Sequence, residues 1–446
     1  MTLRRAAAVL CSERTCVFEN LALEEWLLRH ALEKHHVSHV LLLYRNSPSV
    51  VIGRNQNPWT ESNLWLLAQL EAADGSISSG STNALVQPFL ARRFSGGGAV
   101  VHDLGNLNFS FISPKSDFNR RGNVEWLANT LRGAFRDLHL EINQRNDILC
   151  DGFKVSGSAY RLTGDVALHH GTLLIRSDLG RLRGLLTPTT RSESSGIAAA
   201  HRRHAVAKLA AETGQVGPST RWYSPMSAGL RTTFADVRGT PSVRARVGNL
   251  IDMVPSMDVD RVAQLCVRQF RMDFDAKVLS VAQVDWDAVR EIADRLADPQ
   301  WILGETPAFR VKVEGVSLCP DLHVEVELRA RRKGGWIDDI ALSTAGSVRA
   351  AQTTLDAVQA ALQEMLAAHC RLDGWAIRTS LRRWLRDHAR DQSRPHRDYL
   401  RAIGEALADC LPPVQSWLEN QRARARAAIA CNHDAPSTSC ARTDSL

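Results

Sequence analysis

Several things are missing from this sequence, and each absence removes a class of protein. Nine cysteines are scattered along 446 residues, odd in number and without a single Cys-x-x-Cys pair. That excludes a disulfide framework and a zinc-ribbon site, and leaves reduced thiols. No apolar run approaches the roughly 18 residues a membrane-spanning helix needs. There is no Gly-x-x-x-x-Gly-Lys-[Ser/Thr] loop, so any nucleotide would be held by other means than a Walker cradle. Zinc-finger spacing and an aromatic-basic RNA-binding signature are also absent, so the net charge of +7 reads first as a solvated basic face, one that also suits an acidic protein partner, and not as a nucleic-acid surface.

What the chain does have is a glycine triplet in unusual company. Arg92-Arg-Phe-Ser-Gly-Gly-Gly-Ala-Val-Val-His-Asp-Leu-Gly-Asn106 places two arginines before Gly96, Gly97 and Gly98. Consecutive glycines cost backbone entropy, and free φ or close ligand approach is the usual return. Their N–H groups can form an anion-binding nest, to which Arg93 would add a bidentate fork. The segment from Ala99 to Ser110 reads as a hairpin: strand, tight turn at Asp103–Asn106, strand.

Two further blocks follow, Asn146-Asp147…Lys154-Val-Ser-Gly-Ser-Ala159 and His169-His-Gly-Thr-Leu-Leu174. The ordered set resembles the lipoate–protein ligase family, within the wider biotin/lipoate attachment-enzyme group. The family pattern Arg-Arg-x-Ser-Gly-Gly-Gly-x-Val-x-His-Asp-x-Gly-Asn, Asn-Asp, Lys-x-Ser-Gly-x-Ala, His-His-x-Thr-Leu-Leu is met at every fixed position. Tyr44–Trp59 and Arg238–Asn249 carry the same resemblance.

The resemblance implies an α+β fold, with a large catalytic domain of mixed, mostly antiparallel sheets and a small accessory domain that moves between steps. It implies an enzyme that converts lipoate and ATP to lipoyl-AMP and transfers the lipoyl group to a lysine. Acceptors would be apo lipoyl domains of 2-oxoacid dehydrogenase acyltransferase subunits and the glycine-cleavage H protein, met by a monomer without a membrane. Lys154 is the implied catalytic residue, a compact ammonium able to bridge carboxylate and phosphate oxygens. Arg93, Gly96, Gly97, Gly98, Ala99, Val100, Val101, Lys154, Asp147 and His170 are the implied ligand-binding positions. Val101 departs from the family, where an aromatic residue is common. Asp147 is a candidate Mg²⁺ ligand. His169 and His170, adjacent in a strand, should face opposite sides, one of them packing under the site. Three alternatives stay open: a lipoyltransferase using preformed lipoyl-AMP, an acyltransferase with Cys150 as nucleophile, and a non-catalytic lipoyl-domain binder.

The chain divides on this reading into a catalytic domain over 1–290, an accessory domain over 291–412 and a basic helical or disordered tail over 413–446. Insertions fall near 72–87 and 187–223. Val17–His30 has helical spacing with Asn20 as N-cap. Val37–Tyr44 and Ser49–Gly53 read as strands, and Val259–Phe274 as a helix. His323–Arg331 alternates as a half-exposed strand before a Gly334-Gly335 turn, and helices follow at Val348–Ala368 and Asp398–Cys410. The first twelve residues, with two arginines and no acid, read either as a short mitochondrial leader or as an ordinary first strand, the latter leaving a cytoplasmic location open.

Overall fold

The computed structural model describes residues 7–34, 37–74, 87–188, 230–319, 322–331, 333–344, 349–366, 370–388 and 393–431. Most of the insertions read near 72–87 and 187–223 (75–86 and 189–223), the start of the leader reading and the tail beyond 431 lie outside them. The fold is α+β, as the resemblance implies, and three sheets organise it.

The largest sheet is built from β1 (Ala7–Cys11), β2 (His39–Tyr44), β6 (Asn106–Pro114), β7 (Leu140–Ile142), β8 (Ile148–Cys150), β9 (Phe153–Thr163), β10 (Val166–Leu174) and β12 (Ala276–Val278). Its eight strands lie in the order β12-β1-β2-β6-β10-β9-β8-β7. The β12-β1-β2 pairs are parallel and the rest antiparallel. Residues Ala7–Leu10 are buried, so the strand reading holds for Ala7–Cys11, joined to β2 by the helix Val17–Lys34 as a βαβ crossover. That helix starts three residues before Asn20, which is no N-cap. Buried Asn20 instead donates to the carbonyls of Arg14 and Arg45 and to Asn46 Oδ1 (2.8, 3.1 and 2.8 Å).

A small sheet combines β3 (Ser49–Ile52), β4 (Phe89–Arg92) and β5 (Val100–His102), with β3 in the middle. Here the hairpin expectation fails. The strands at both ends of Ala99–Ser110 exist, but β5 pairs with β3 while β6 joins β2 and β10 in the large sheet. The Asp103–Asn106 turn therefore carries the chain from one sheet to the other.

The small sheet is apolar on both faces. Val50, Ile52, Leu90 and Val101 face one core, while Val51, Phe89 and Ala91 share another with Phe18 and Trp26 of the Val17–Lys34 helix. The first of these cores runs without a break into the third sheet. That sheet contains β11 (Arg231–Ala235), β13 (Phe309–Cys319), β14 (Leu322–Ala330) and β15 (Ile337–Thr344), paired in that order. Along β14 burial alternates residue by residue, as its period-two sequence requires. Gly334 and Gly335 turn into β15 with φ of 103° and 64°.

Helices Arg349–Leu366, Gly374–His388 and Arg394–Cys410 cover this sheet and contribute Val358, Leu381 and Leu407 to the same core. The boundary drawn at 290/291 falls inside the helix Trp286–Ala297, and β11 comes from well before it. The tail forms a helix, Val414–Cys431, tied to the body. Fully buried Gln421 accepts from Leu90 N (2.6 Å) and donates to Leu90 O (3.0 Å), so a side-chain amide takes the place of a neighbouring strand at the β4 edge.

Candidate active site

The site forms where the loop after β4 meets one face of β9 and β10. Two arginines with different tasks shape it. Arg92 is fully buried and reaches away from the loop: Nε donates to Ile302 O (2.6 Å), Nη1 to the carbonyls of Gly53, Arg54 and Gln56, and Nη2 to Thr306 Oγ1. Trp301 Nε1 returns a bond to Arg92 O. This guanidinium pins the end of β3 to the short helix Pro299–Gly304.

Arg93 organises the glycines. Its Nη2 donates to Gly96 O (2.6 Å) and Gly98 O (2.8 Å), its Nη1 to Val51 O and its Nε to Ser95 Oγ. These bonds occupy the donors that the sequence reading assigned to a phosphate fork. Burial lowers the pKa of Arg93 to about 10, still a full positive charge at neutral pH, with Glu24 and Tyr44 opposing the fall.

The three glycines are not equivalent. Gly97 has φ of 86°, and a Cβ there would stand 2.9 Å from both Ala159 Cβ and Arg93 Nη2. Gly98 lies against Ser242, whose hydroxyl accepts from Ala99 N (2.9 Å), while a Cβ on Gly96 would meet nothing within 4 Å. Ser242 is held in turn by Gln56 Nε2 (3.1 Å), and Gln56 Oε1 accepts from Gly53 N. The 240–242 segment thus walls the loop.

Lys154 reaches this face through an irregularity in β9. Consecutive Ile148 and Leu149 of β8 pair with Ser156 and Lys154, which leaves Val155 as an extra residue, a β-bulge. Strict alternation would put Lys154 and Gly157 on opposite faces; the bulge puts them together. A Cβ on Gly157 would lie 2.6 Å from Lys154 Cε and 2.7 Å from its Nζ, so the lysine lies over a position that only glycine leaves open. Gly157 and Ala159 are two residues apart on one strand face, about 7 Å, so Lys154 and the Gly97 turn lie over the same face of β9.

Lys154 Nζ pairs with Asp147 Oδ1 at 2.8 Å, and Asp147 is presented by a turn in which Asn143 Oδ1 accepts from Asp147 N (3.0 Å). A dication at Asp147 would have to displace that ammonium, and among the described residues no group of three or more His, Cys, Asp or Glu could hold a metal. The Mg²⁺ reading of Asp147 rests on the resemblance, and in the fold this carboxylate is engaged by Lys154.

Beneath the loop runs a buried polar relay that the sequence reading reached at one end only. His170 Nε2 lies 2.6 Å from Ser95 Oγ, and His170 Nδ1 lies 3.0 Å from both Glu24 carboxylate oxygens. Tyr44 OH (2.9 Å) and Ser110 Oγ also donate to Glu24 Oε1. Burial alone would raise the Glu24 carboxyl, but His170, Ser110 and Tyr44 hold it below its ordinary value. Glu24 and Tyr44 were missed as site residues; the signal was a pair of acids, Glu24-Glu25, in the apolar run Leu21–Leu28.

The two histidines face opposite sides as expected. His169 is fully buried among Phe109, Phe111 and Phe118, with Nδ1 3.2 Å from Asn123 Nδ2. Burial, then the charges of His170 and Arg120, lower it to about 3. His102, hydrogen-bonded to Asn46 (2.9 Å), falls to about 3 by burial and by Arg93 and His170.

Two other sequence candidates have buried side chains. The Val101 side chain packs in the core with Val50 and Leu303 rather than beside the loop. Cys150 has no exposure, sits with Leu140 and Phe135 in the core beneath β8, and burial raises its thiol pKa. A nucleophilic thiol needs access and a thiolate, so the Cys150 acyltransferase reading does not stand.

Residues 16–231 match the family model described as the lipoyl protein ligase A/B catalytic domain. A curated relative from Bdellovibrio bacteriovorus, lipoate-protein ligase A, is 32% identical over 79% of this chain and 91% of its own. The mouse protein named lipoyl amidotransferase LIPT1, mitochondrial, is 28% identical over 75% of each chain. A crystal structure of P. falciparum LipL1 with lipoate covers 84% of this chain and 94% of that one, at 23% identity and a TM-score of 0.48. With its glycine loop, lysine and histidine blocks gathered on one face, and with a curated relative matched over nearly its whole length, this chain belongs to the lipoate–protein ligase A family.

Proposed function

We propose that this protein activates lipoate with ATP and transfers the lipoyl group to a lysine of an acceptor lipoyl domain. In the first half-reaction a lipoate carboxylate oxygen attacks the α-phosphorus, the bond to pyrophosphate breaks, and a mixed anhydride forms. In the second, the acceptor amine attacks the carbonyl carbon, AMP leaves with the bonding electrons, and the nitrogen loses its proton to give an amide.

The observation that carries this reading is the Lys154 ammonium on the same strand face as the Gly97 turn. Two anions must meet for the first bond to form, and a preorganised cation beside free amides lowers that barrier. The N–H groups of Gly96, Gly97 and Gly98 have no acceptor among the described residues, which suits a phosphate. Arg93 sets the loop's shape and supplies positive potential from below. Ser95, bonded to the His170–Glu24 relay, keeps a fixed orientation. Bringing Lys154 to the substrates means exchanging its Asp147 partner for them, and Asp147 then serves to hold the lysine in place beforehand.

The same proposal takes apo lipoyl domains of 2-oxoacid dehydrogenases and the glycine-cleavage H protein as acceptors. It puts the protein in mitochondria, following the name of the mouse relative. A second reading, a transferase that uses preformed lipoyl-AMP, is favoured by that relative's name as an amidotransferase. ATP- and lipoate-dependent pyrophosphate release by wild type and Lys154→Ala, followed by addition of an apo lipoyl domain, separates them. Release in wild type alone, with the acceptor gaining a lipoyl mass, supports the ligase. Transfer only from supplied lipoyl-AMP supports the transferase, and neither activity refutes both.

A further inference from the structure

A cavity lies away from the active site, between the helix Val414–Cys431, the Pro299–Gly304 helix and Arg371. Its volume is about 570 Å³, and Asp298, Gln300, Arg371, Gln415, Arg422 and Arg426 line it. Arg371 is the unusual member. It is 3% exposed, yet among the described residues its side chain makes one hydrogen bond, from Nη2 to Gln300 Oε1 (2.7 Å), and its Nε and Nη1 have no partner. Its flat face lies over the Trp336 ring, 4.7 Å from the centroid.

The acids around it are engaged elsewhere. Asp298 pairs with Arg422 Nη1 (2.9 Å), and Asp294 takes Arg422 Nη2 and Arg426 Nε (3.1 and 2.5 Å). Asp373 accepts from the N–H groups of Ala376 and Gln415 (2.8 and 2.7 Å). Glu419, also on the cavity wall, accepts from Gln415 Nε2 at 3.3 Å. Arg422 Nε is likewise buried without a partner. A buried guanidinium with unmet donors and no ion pair is costly, and the two other arginines of the buried class among the described residues, Arg92 and Arg93, use Nε, Nη1 and Nη2 on carbonyls and hydroxyls.

We propose that this cavity binds a small oxyanion, a phosphate or carboxylate group, through Arg371 with Arg422 beside it. The ligand supplies the acceptor oxygens that the protein leaves out, and the guanidinium, stacked on Trp336, is already oriented for a planar or tetrahedral oxyanion. Position gives the site a consequence. Gln300, the partner of Arg371, adjoins Trp301 and Ile302, which hold the backbone oxygen and the guanidinium of Arg92. An anion there joins the C-terminal helix to the segment that anchors the glycine loop.

The test uses the full chain with millimolar inorganic phosphate or malonate, against sodium chloride at matched ionic strength. Thermal unfolding and hydrogen exchange are read together. Phosphate, malonate or both should raise the Tm of wild type and of Lys154→Ala by about 2 °C or more, and leave Arg371→Gln unmoved. Amides in 298–302 and 415–426 of wild type should exchange several-fold more slowly with the anion present. A response to one anion only identifies the preferred oxyanion. A Tm rise that survives Arg371→Gln, a rise abolished by Lys154→Ala alone, or unchanged exchange in those two segments overturns the proposal. Should Arg371→Gln fail to fold, the exchange experiment needs no variant, and Arg371→Lys, which keeps the charge but not the planar fork, should weaken the response about tenfold.

Discussion

Lowering the pH from 7 to 5 should unfold this protein much more readily, and two histidines should supply most of the effect. His102 and His169 are both held neutral in the fold, at about 3, by burial and by the positive charges of Arg93, Arg120 and His170. In the unfolded chain each titrates at an ordinary value of about 6.5. The folded value is depressed, so the unfolded state binds the extra protons. Stability is therefore complete above about pH 6.5 and falls as pH descends toward 3.

At pH 5 each unfolded histidine is almost fully protonated and each folded one is neutral. The linkage relation then gives a loss of about 2 kcal/mol per residue relative to pH 7, and roughly 4 kcal/mol for the pair. Glu24 adds little in this window, because its depressed carboxyl stays ionised in the fold and the unfolded one is half protonated only at 4.5. Urea unfolding at pH 7, 6 and 5 measures the slope. His169→Phe, a substitution its aromatic surroundings accommodate, should remove about half of the pair's contribution to the pH dependence, as should His102→Asn, and the double variant all of that contribution, leaving the smaller part from His396, which burial also depresses. Absolute stability at pH 7 will shift with each variant, but the slope isolates the proton. A slope unchanged in both single variants would refute the assignment.

Three further outcomes follow from the site's geometry. Gly97→Ala, forced to φ near +86° with its Cβ 2.9 Å from Ala159, should cost about 1–3 kcal/mol in backbone strain alone and reduce pyrophosphate release at least tenfold. Gly96→Ala, which meets nothing, should remain near wild type, and equal losses in the two would undo the distinction. Cys150→Ala should keep activity within about twofold while lowering Tm by a few degrees, since it removes a buried core side chain and not a nucleophile; a loss of several hundredfold would restore the thiol mechanism. Arg92→Met leaves the carbonyls of Ile302, Arg54 and Gln56 without their donor and should destabilise the protein by about 3–5 kcal/mol, seen as a reduced urea midpoint rather than a selective loss of ATP affinity.

The sequence by itself determined the family, the α+β class and most elements whose periodicity is strong. The helix Val259–Phe274 and the alternating strand β14 stand where their patterns put them, because local spacing alone selects which face is buried. It also determined which residues gather, since Lys154, the glycine triplet and His170 carry the ordered motifs. Tertiary structure decided what each of them does. Ala99–Ser110 has the local pattern of a hairpin, but pairing partners come from remote strands, and β3 and β2 each claim one half. Asn20 resembles a helix cap, yet distant carbonyls of Arg14 and Arg45 occupy its amide. Arg93 resembles a phosphate fork, yet the carbonyls of Gly96 and Gly98 fold back onto it. The bulge at Val155, which turns Lys154 toward the site, depends on the register between β8 and β9, and the Glu24–His170–Ser95 relay joins residues 146 and 75 positions apart. Periodicity reports burial along one element; hydrogen-bond partners across elements are fixed only when the chain closes on itself.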